Sequence, residues 1–172
     1  SEGYVQLLGL ISQEYFHTWN VKRLRPAELV PYDYDQENYT QLLWFFEGFT
    51  SYYDDLLLRR AGLIDDTVYL QLVAKNINQV RQTPGRLVQS VAQASFDAWT
   101  KYYRQDENTP NATVSYYTKG AVIAAFVLGI VSAWVEFTTT ASIAQVIVFA
   151  LIVAFLQVRP QGIYQLKTRS LA

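Results

Sequence analysis

Gln13-Glu14-Tyr15-Phe16-His17, taken with Glu47 in the run Trp44-Phe45-Phe46-Glu47-Gly48-Phe49-Thr50, decides how the rest of the chain is read. On a helix, residues three and four apart are neighbours, so positions 13, 14 and 17 fall on or beside one face. Both stretches lie in helical patterns. Tyr4, Val5, Leu7, Leu8, Ile11, Tyr15 and Phe16 form an apolar stripe of helical period, which predicts a helix from about Gly3 to Trp19. Leu42, Leu43, Phe46, Phe49, Tyr53 and Leu57 predict a second helix, beginning near Gln36 or Glu37 and stopping at Gly62, with Glu47 in its middle. Pro26 and Pro31 make the intervening segment a loop.

Further along, Asp65 and Asp66 offer side-chain oxygens to the free backbone N–H groups of a third helix, Thr67 to about Gln82. Thr83 reads as the N-cap of a fourth, with Pro84 at its first position and Leu87, Val91, Ala94, Phe96, Trp99 and Tyr103 turned inward. Residues 105–113 read as a polar loop. After Lys119 the character changes, since residues 120–135 and 137–158 carry no charge. Ala141 to Val158 is long enough, at 1.5 Å per residue, to cross most of a hydrocarbon core of roughly 30 Å. Arg159, Lys167 and Arg169 would then place the C-terminus on the cytoplasmic side. The expected fold is mainly α, with one domain over 1–125 and a hydrophobic, membrane-type helical segment over 126–172.

A length of 172 residues suits one domain, or one domain with an appendage. Opening on Ser1 inside a helical pattern, the chain reads as a piece of something longer. Its first twenty residues carry Glu2 and Glu14 and no basic leader, so they are not read as a signal peptide. With no cysteine, any metal site must draw on His, Asp and Glu. A net charge of −1 without a Lys/Arg stripe argues against a nucleic-acid partner. Residues 1–120 hold 11 basic and 14 acidic side chains, and residues 121–172 hold 3 and 1, so the two parts differ in kind.

The chemistry sits in the opening stretch. In H-E-x-x-H, two histidines one helical turn apart bind zinc and the glutamate is the general base. Here Gln13 stands where the first histidine would be, followed by Glu14 and His17. A third ligand must come from another helix. Glu47 is the candidate, because a carboxylate among Trp44, Phe45, Phe46 and Phe49 is costly to bury unless a metal or partner neutralises it. Glu14 would accept a proton from water, and the hydroxyl of Tyr117 could stabilise an oxyanion. Other readings stand beside these. E-x-x-H arises by chance, Glu47 could pair with Arg23 or Arg25, and Tyr117 is one of thirteen tyrosines. Asp54-Asp55 and Arg59-Arg60 read as a solvated helix face, and Asn111-Ala112-Thr113 fits a glycosylation sequon without an export signal to support it.

The run Gly9 to Arg23, continuing to Arg25-Pro26, resembles the zinc-binding segment of the glycyl aminopeptidases, metallopeptidase family 61. The likeness continues through Asn38-Tyr39-Thr40, Leu43 to Tyr53, Thr83-Pro84-Gly85-Arg86, Ala94 to Trp99 and Tyr116-Tyr117-Thr118-Lys119-Gly120, covering about residues 1–125. The resemblance implies the helical half of a thermolysin-like, gluzincin catalytic domain, with a preceding β-rich domain and a PDZ domain in the parent enzymes. It implies His17 and Glu47 as zinc ligands, Glu14 as general base, and Tyr117 as the group that stabilises the tetrahedral intermediate. The implied reaction removes N-terminal residues, of glycine or alanine type, from peptides. Gln13 departs from the family pattern. A neutral amide is a weaker zinc ligand than imidazole, so zinc binding is expected to be weak or absent and activity low. From about Val131, and most clearly over 144–152 and 155–162, the tail resembles the C-terminal end of branched-chain amino acid or urea ABC-transporter permeases, which suggests a chimeric or frameshifted reading frame. The alternatives are a non-catalytic peptide-binding relative and a membrane-anchored, permease-derived fragment associating through 141–158. Compartment stays open between bacterial cytoplasm, periplasm and membrane, as does oligomeric state.

Overall fold

The computed structural model describes residues 2–137 and six positions beyond them, 143, 146, 147, 150, 151 and 154. Among residues 2–137, six α-helices follow one another: α1 Glu2–Phe16, α2 Leu43–Arg60, α3 Asp66–Gln82, α4 Val91–Phe96, α5 Thr109–Ala112 and α6 Tyr116–Glu136. Short 3-10 turns occupy Ala27–Leu29 and Pro84–Leu87, and a π-helix occupies Ala98–Tyr102. The described residues contain no strand, only an isolated bridge between Asn20 and Leu24. The mainly helical expectation holds.

By contacts the chain divides into two units, 1–127 and 128–172. In the first unit, Leu43, Ala94, Ala98, Val114 and Tyr116 form a buried cluster, flanked by Trp44, Tyr102 and Tyr117. Two glycines allow α2 and the start of α6 to touch. A Cβ on Gly48 would lie 2.5 Å from Gly120 Cα, and one on Gly120 would lie 2.3 Å from Trp44 O, so neither position accepts a side chain without movement. This contact sets Glu47, the residue before Gly48, near Tyr117, three residues before Gly120.

Several boundaries differ from the sequence reading. α1 ends at Phe16, and the amides of Trp19 and Asn20 both turn back onto Phe16 O at 3.1 Å. α2 begins at Leu43, because local hydrogen bonds claim the preceding segment: Asn38 Oδ1 accepts from Asp33 N at 2.9 Å and Thr40 Oγ1 from Leu42 N at 3.2 Å. It stops as expected around Gly62, whose φ of +71° lets Gly62 N reach Arg59 O at 3.0 Å and Leu63 N reach Leu58 O at 2.9 Å. Asp65 caps α3 through Val68 N at 2.8 Å. Thr83 is not a side-chain N-cap but the C-cap of α3, its hydroxyl donating back to Gln79 O at 2.8 Å.

The predicted fourth helix is instead a 3-10 turn, the short α4 and the π-helix, and its inward face is Ala94 and Ala98. Leu87, Phe96, Trp99 and Tyr103 are exposed. Of the apolar stripe of α1, Tyr4, Leu7, Ile11 and Tyr15 are exposed and Val5, Leu8 and Phe16 half-buried, with no buried residue on that helix. Asp54, expected on a solvated face, is buried, whereas Arg59 does lie outside and pairs with Asp66 at 2.6 Å. The expected polar loop at 105–113 contains α5.

Among the described residues, one helical stretch, Thr109–Glu136, has the length and composition to cross a membrane. The part of it that carries Tyr116, Ala121 and Ala124 is buried in the first unit. The segment expected to associate with a membrane, 141–158, lies outside the described residues but for the six positions named above.

Candidate metal centre

His17 follows α1 by one residue, its amide still bonded to Gln13 O at 3.1 Å, so the ring keeps its place on the helix face. The turn that follows brings Asn20 O to 2.9 Å from His17 Nδ1. A carbonyl only accepts, so the neutral ring carries its proton on Nδ1 and presents Nε2 as a lone pair. Nε2 faces α2, where Glu47 Oε2 lies 3.3 Å away, the two side chains being 15% and 17% exposed. That oxygen is buried and accepts no aligned hydrogen bond. The two groups form a close ion pair when the ring is protonated. The Glu47 carboxylate, against the opposing effect of burial and with help from Asn20 O and the charge of Glu14, pushes His17 up to about 8.

Two acceptor atoms face each other across this gap, an arrangement that calls for a proton or a cation. Ligand atoms about 2.0–2.1 Å from a tetrahedral zinc stand roughly 3.3 Å apart, so the pair has the spacing of one edge of a zinc site. The Nδ1 contact to a backbone carbonyl is also the usual outer support of a zinc-bound imidazole. Gln13 and Glu14 lie one turn earlier on α1, Gln13 half-buried and Glu14 exposed. Among the described residues no three His, Cys, Asp or Glu side chains group together to hold a metal. His17 and Glu47 are thus two donors where a protein zinc site uses at least three.

Tyr117 opens α6 beside this pair. Burial, its hydrogen bond with Tyr103 and the charge of Glu47 all hold its hydroxyl protonated well beyond the usual range. Its hydroxyl lies 3.2 Å from that of Tyr103, and its ring stacks on Tyr116 with centroids 4.6 Å apart. Tyr103 in turn stacks on Trp99, whose indole Nε1 donates to Asn38 O at 2.8 Å. Neither Arg23 nor Arg25 pairs with Glu47; Arg25 donates to Lys22 O. Asn20 and Tyr103 carry no signal in their local sequence, since their partners lie on other elements.

A family model described as M61 glycyl aminopeptidase matches residues 6–123, the interval that contains every residue of this centre. The chain belongs to the M61 glycyl aminopeptidase family. Among solved structures, the crystal structure of an aminopeptidase N family protein from Idiomarina loihiensis is 40% identical to it, with a TM-score of 0.78. That match covers 94% of this M61 chain and 27% of the other, so the chain spans about a quarter of that protein. No curated protein matches. The permease resemblance of the tail finds no support.

Proposed function

We propose that this M61 chain is part of the catalytic region of a zinc-dependent aminopeptidase acting on peptides with small N-terminal residues, and that its own zinc site is incomplete at Gln13. The observation that carries this reading is the pair His17 Nε2 and Glu47 Oε2, 3.3 Å apart, with the carboxylate oxygen buried and accepting no aligned hydrogen bond. His17 and Glu47 would hold the metal, and Gln13 would offer it a carbonyl oxygen at most. Bound zinc supplies a Lewis acid that polarises a carbonyl and acidifies water. Glu14, exposed one turn before His17, would take the proton as general base. The Tyr117 hydroxyl, held protonated, is a donor for an oxygen that gains charge.

Zinc content of the purified chain, measured beside Gln13→His, tests this. The expected result is about one equivalent in the histidine variant, consistent with three protein ligands, and little in the unaltered chain. Absence of zinc from both would remove the ligand assignment. Gln13 also favours a second reading, a peptide-binding relative without catalysis, which predicts saturable peptide binding that a chelator leaves unchanged.

A further inference from the structure

The turn after α1 touches both ligand-bearing helices through one residue. Asn20 is 7% exposed, and its carboxamide NH2 donates to Phe46 O at 2.8 Å and to Thr50 Oγ1 at 3.1 Å. Phe46 O can only accept, which fixes the amide's orientation. Phe46 is the residue before Glu47, and Thr50, fully buried, itself donates to Phe46 O at 2.6 Å. The backbone carbonyl of the same Asn20 accepts from His17 Nδ1 at 2.9 Å. The next residue, Val21, has φ +151°, a conformation that a β-branched residue rarely adopts and keeps only where its surroundings impose it.

We propose that Asn20 is a positioning residue that sets the His17–Glu47 pair: its carboxamide anchors the turn to α2 beside Glu47, and its carbonyl, so anchored, holds the His17 ring with Nε2 turned toward Glu47. Without the anchor, the strained turn relaxes and the carbonyl leaves Nδ1. The ring then turns to donate from Nε2 to the carboxylate. Tautomer and ligand spacing thus depend on one buried amide outside the pair itself. The metal half of this inference rests on the zinc reading above, and the tautomer half does not.

His17 is the only histidine, so in the full chain labelled with 15N-histidine both ring nitrogens are assigned without ambiguity. With the ring neutral, Nδ1–H is expected to dominate in the unaltered chain, and Asn20→Ala is expected to make Nε2–H dominant. Thr50→Ala, which removes one of the two carboxamide partners, should give an intermediate mixture. In a Gln13→His background, Asn20→Ala should weaken zinc binding 10- to 100-fold, the range typical of residues that support metal ligands from outside. A dominant Nε2–H form in the unaltered chain overturns the proposal. So does an unchanged tautomer in a folded Asn20→Ala chain or, should that variant unfold, in Thr50→Ala. If Gln13→His binds no zinc while the tautomer shifts as expected, the zinc reading fails and the positioning role of Asn20 stands.

Discussion

At Asp54 a carboxyl lies buried on α2, with Oδ1 accepting from the Asp55 amide. Burial first, then the charge of Asp55, pushes it up to about 8 from 3.8, with His17 pulling the other way. A carboxyl raised on folding contributes stability that is intact below pH 3.8 and lost as pH climbs through about 8. The loss is on the order of 5 kcal/mol at full displacement. Asp55, raised to about 6 by burial, adds a loss of the same sign at lower pH. His17, raised to about 8, adds another between 6.5 and 8. Urea midpoints should therefore fall steadily from pH 4 to 8.5. Asp54→Asn, which keeps the acceptor for Asp55 N, should flatten more than half of that slope and be the more stable chain at pH 8. Parallel slopes in the two chains would contradict the burial argument. The contrast with Glu47 shows what one residue's surroundings reveal in sequence. Glu47 stood out because aromatic neighbours in the chain made its charge anomalous. Asp54 sits beside Asp55 and near Arg59 and Arg60, so its local composition is that of a wet surface, and only the packing of α1 against α2 makes it otherwise. Asn20 is legible still less, because its partners are 26 and 30 residues away.

Among the elements, the crossing of α2 with α6 is the most exposed to a single change. Gly120→Ala would place Cβ 2.3 Å from the Trp44 carbonyl, a backbone atom that cannot rotate away. Overpacking of this kind costs roughly 1–3 kcal/mol, and it should also spread Tyr117 from Glu47. A lowered urea midpoint, with a smaller effect of Glu47→Gln on the Tyr117 phenol's titration than in the unaltered chain, is the expected pair of results. Ser90→Ala should cost about 1 kcal/mol, because Ser90 accepts from Gln93 N while the Gln93 side chain accepts from Ser90 N. The loss should appear in thermal melts, since α4 carries the Ser95 hydroxyl that receives Trp44 N at 2.8 Å and so ties α4 to the start of α2. α3 and its Asp65 cap were legible because the signal is local, a side chain bonding to an amide three residues on. The segment 83–103 was not. Its regular apolar spacing favoured one long helix, but Gly85 packs against the backbone of Thr113, and Gln89 donates to Asp97 and accepts from Val114 N, so the chain bends to meet partners absent from its local pattern.

For the molecule as a whole, α1 presents a question of surface. Its stripe has the period of a core-facing helix, yet Tyr4, Leu7, Ile11 and Tyr15 are 53–63% exposed, and α1 packs on α2 through Phe16 at the end of the stripe, Ser12 and, just beyond the helix, His17. Periodicity identified the helix correctly but could not say which surface the apolar side chains meet, since it records spacing and not neighbours. Contiguous exposed apolar side chains of this kind bind hydrophobic probes and favour association. The chain should therefore enhance the fluorescence of anilinonaphthalene sulfonate while keeping a cooperative melt, which separates a native apolar face from a molten state. Leu7→Lys with Ile11→Lys should remove a large part of that signal. Because both side chains point outward and lysine is a good helix former, the same double variant should keep the melting temperature and the His17 ring signals unchanged. Loss of the fluorescence together with loss of the fold would mean that α1 is held through this face after all; retention of both would put the dye on another surface.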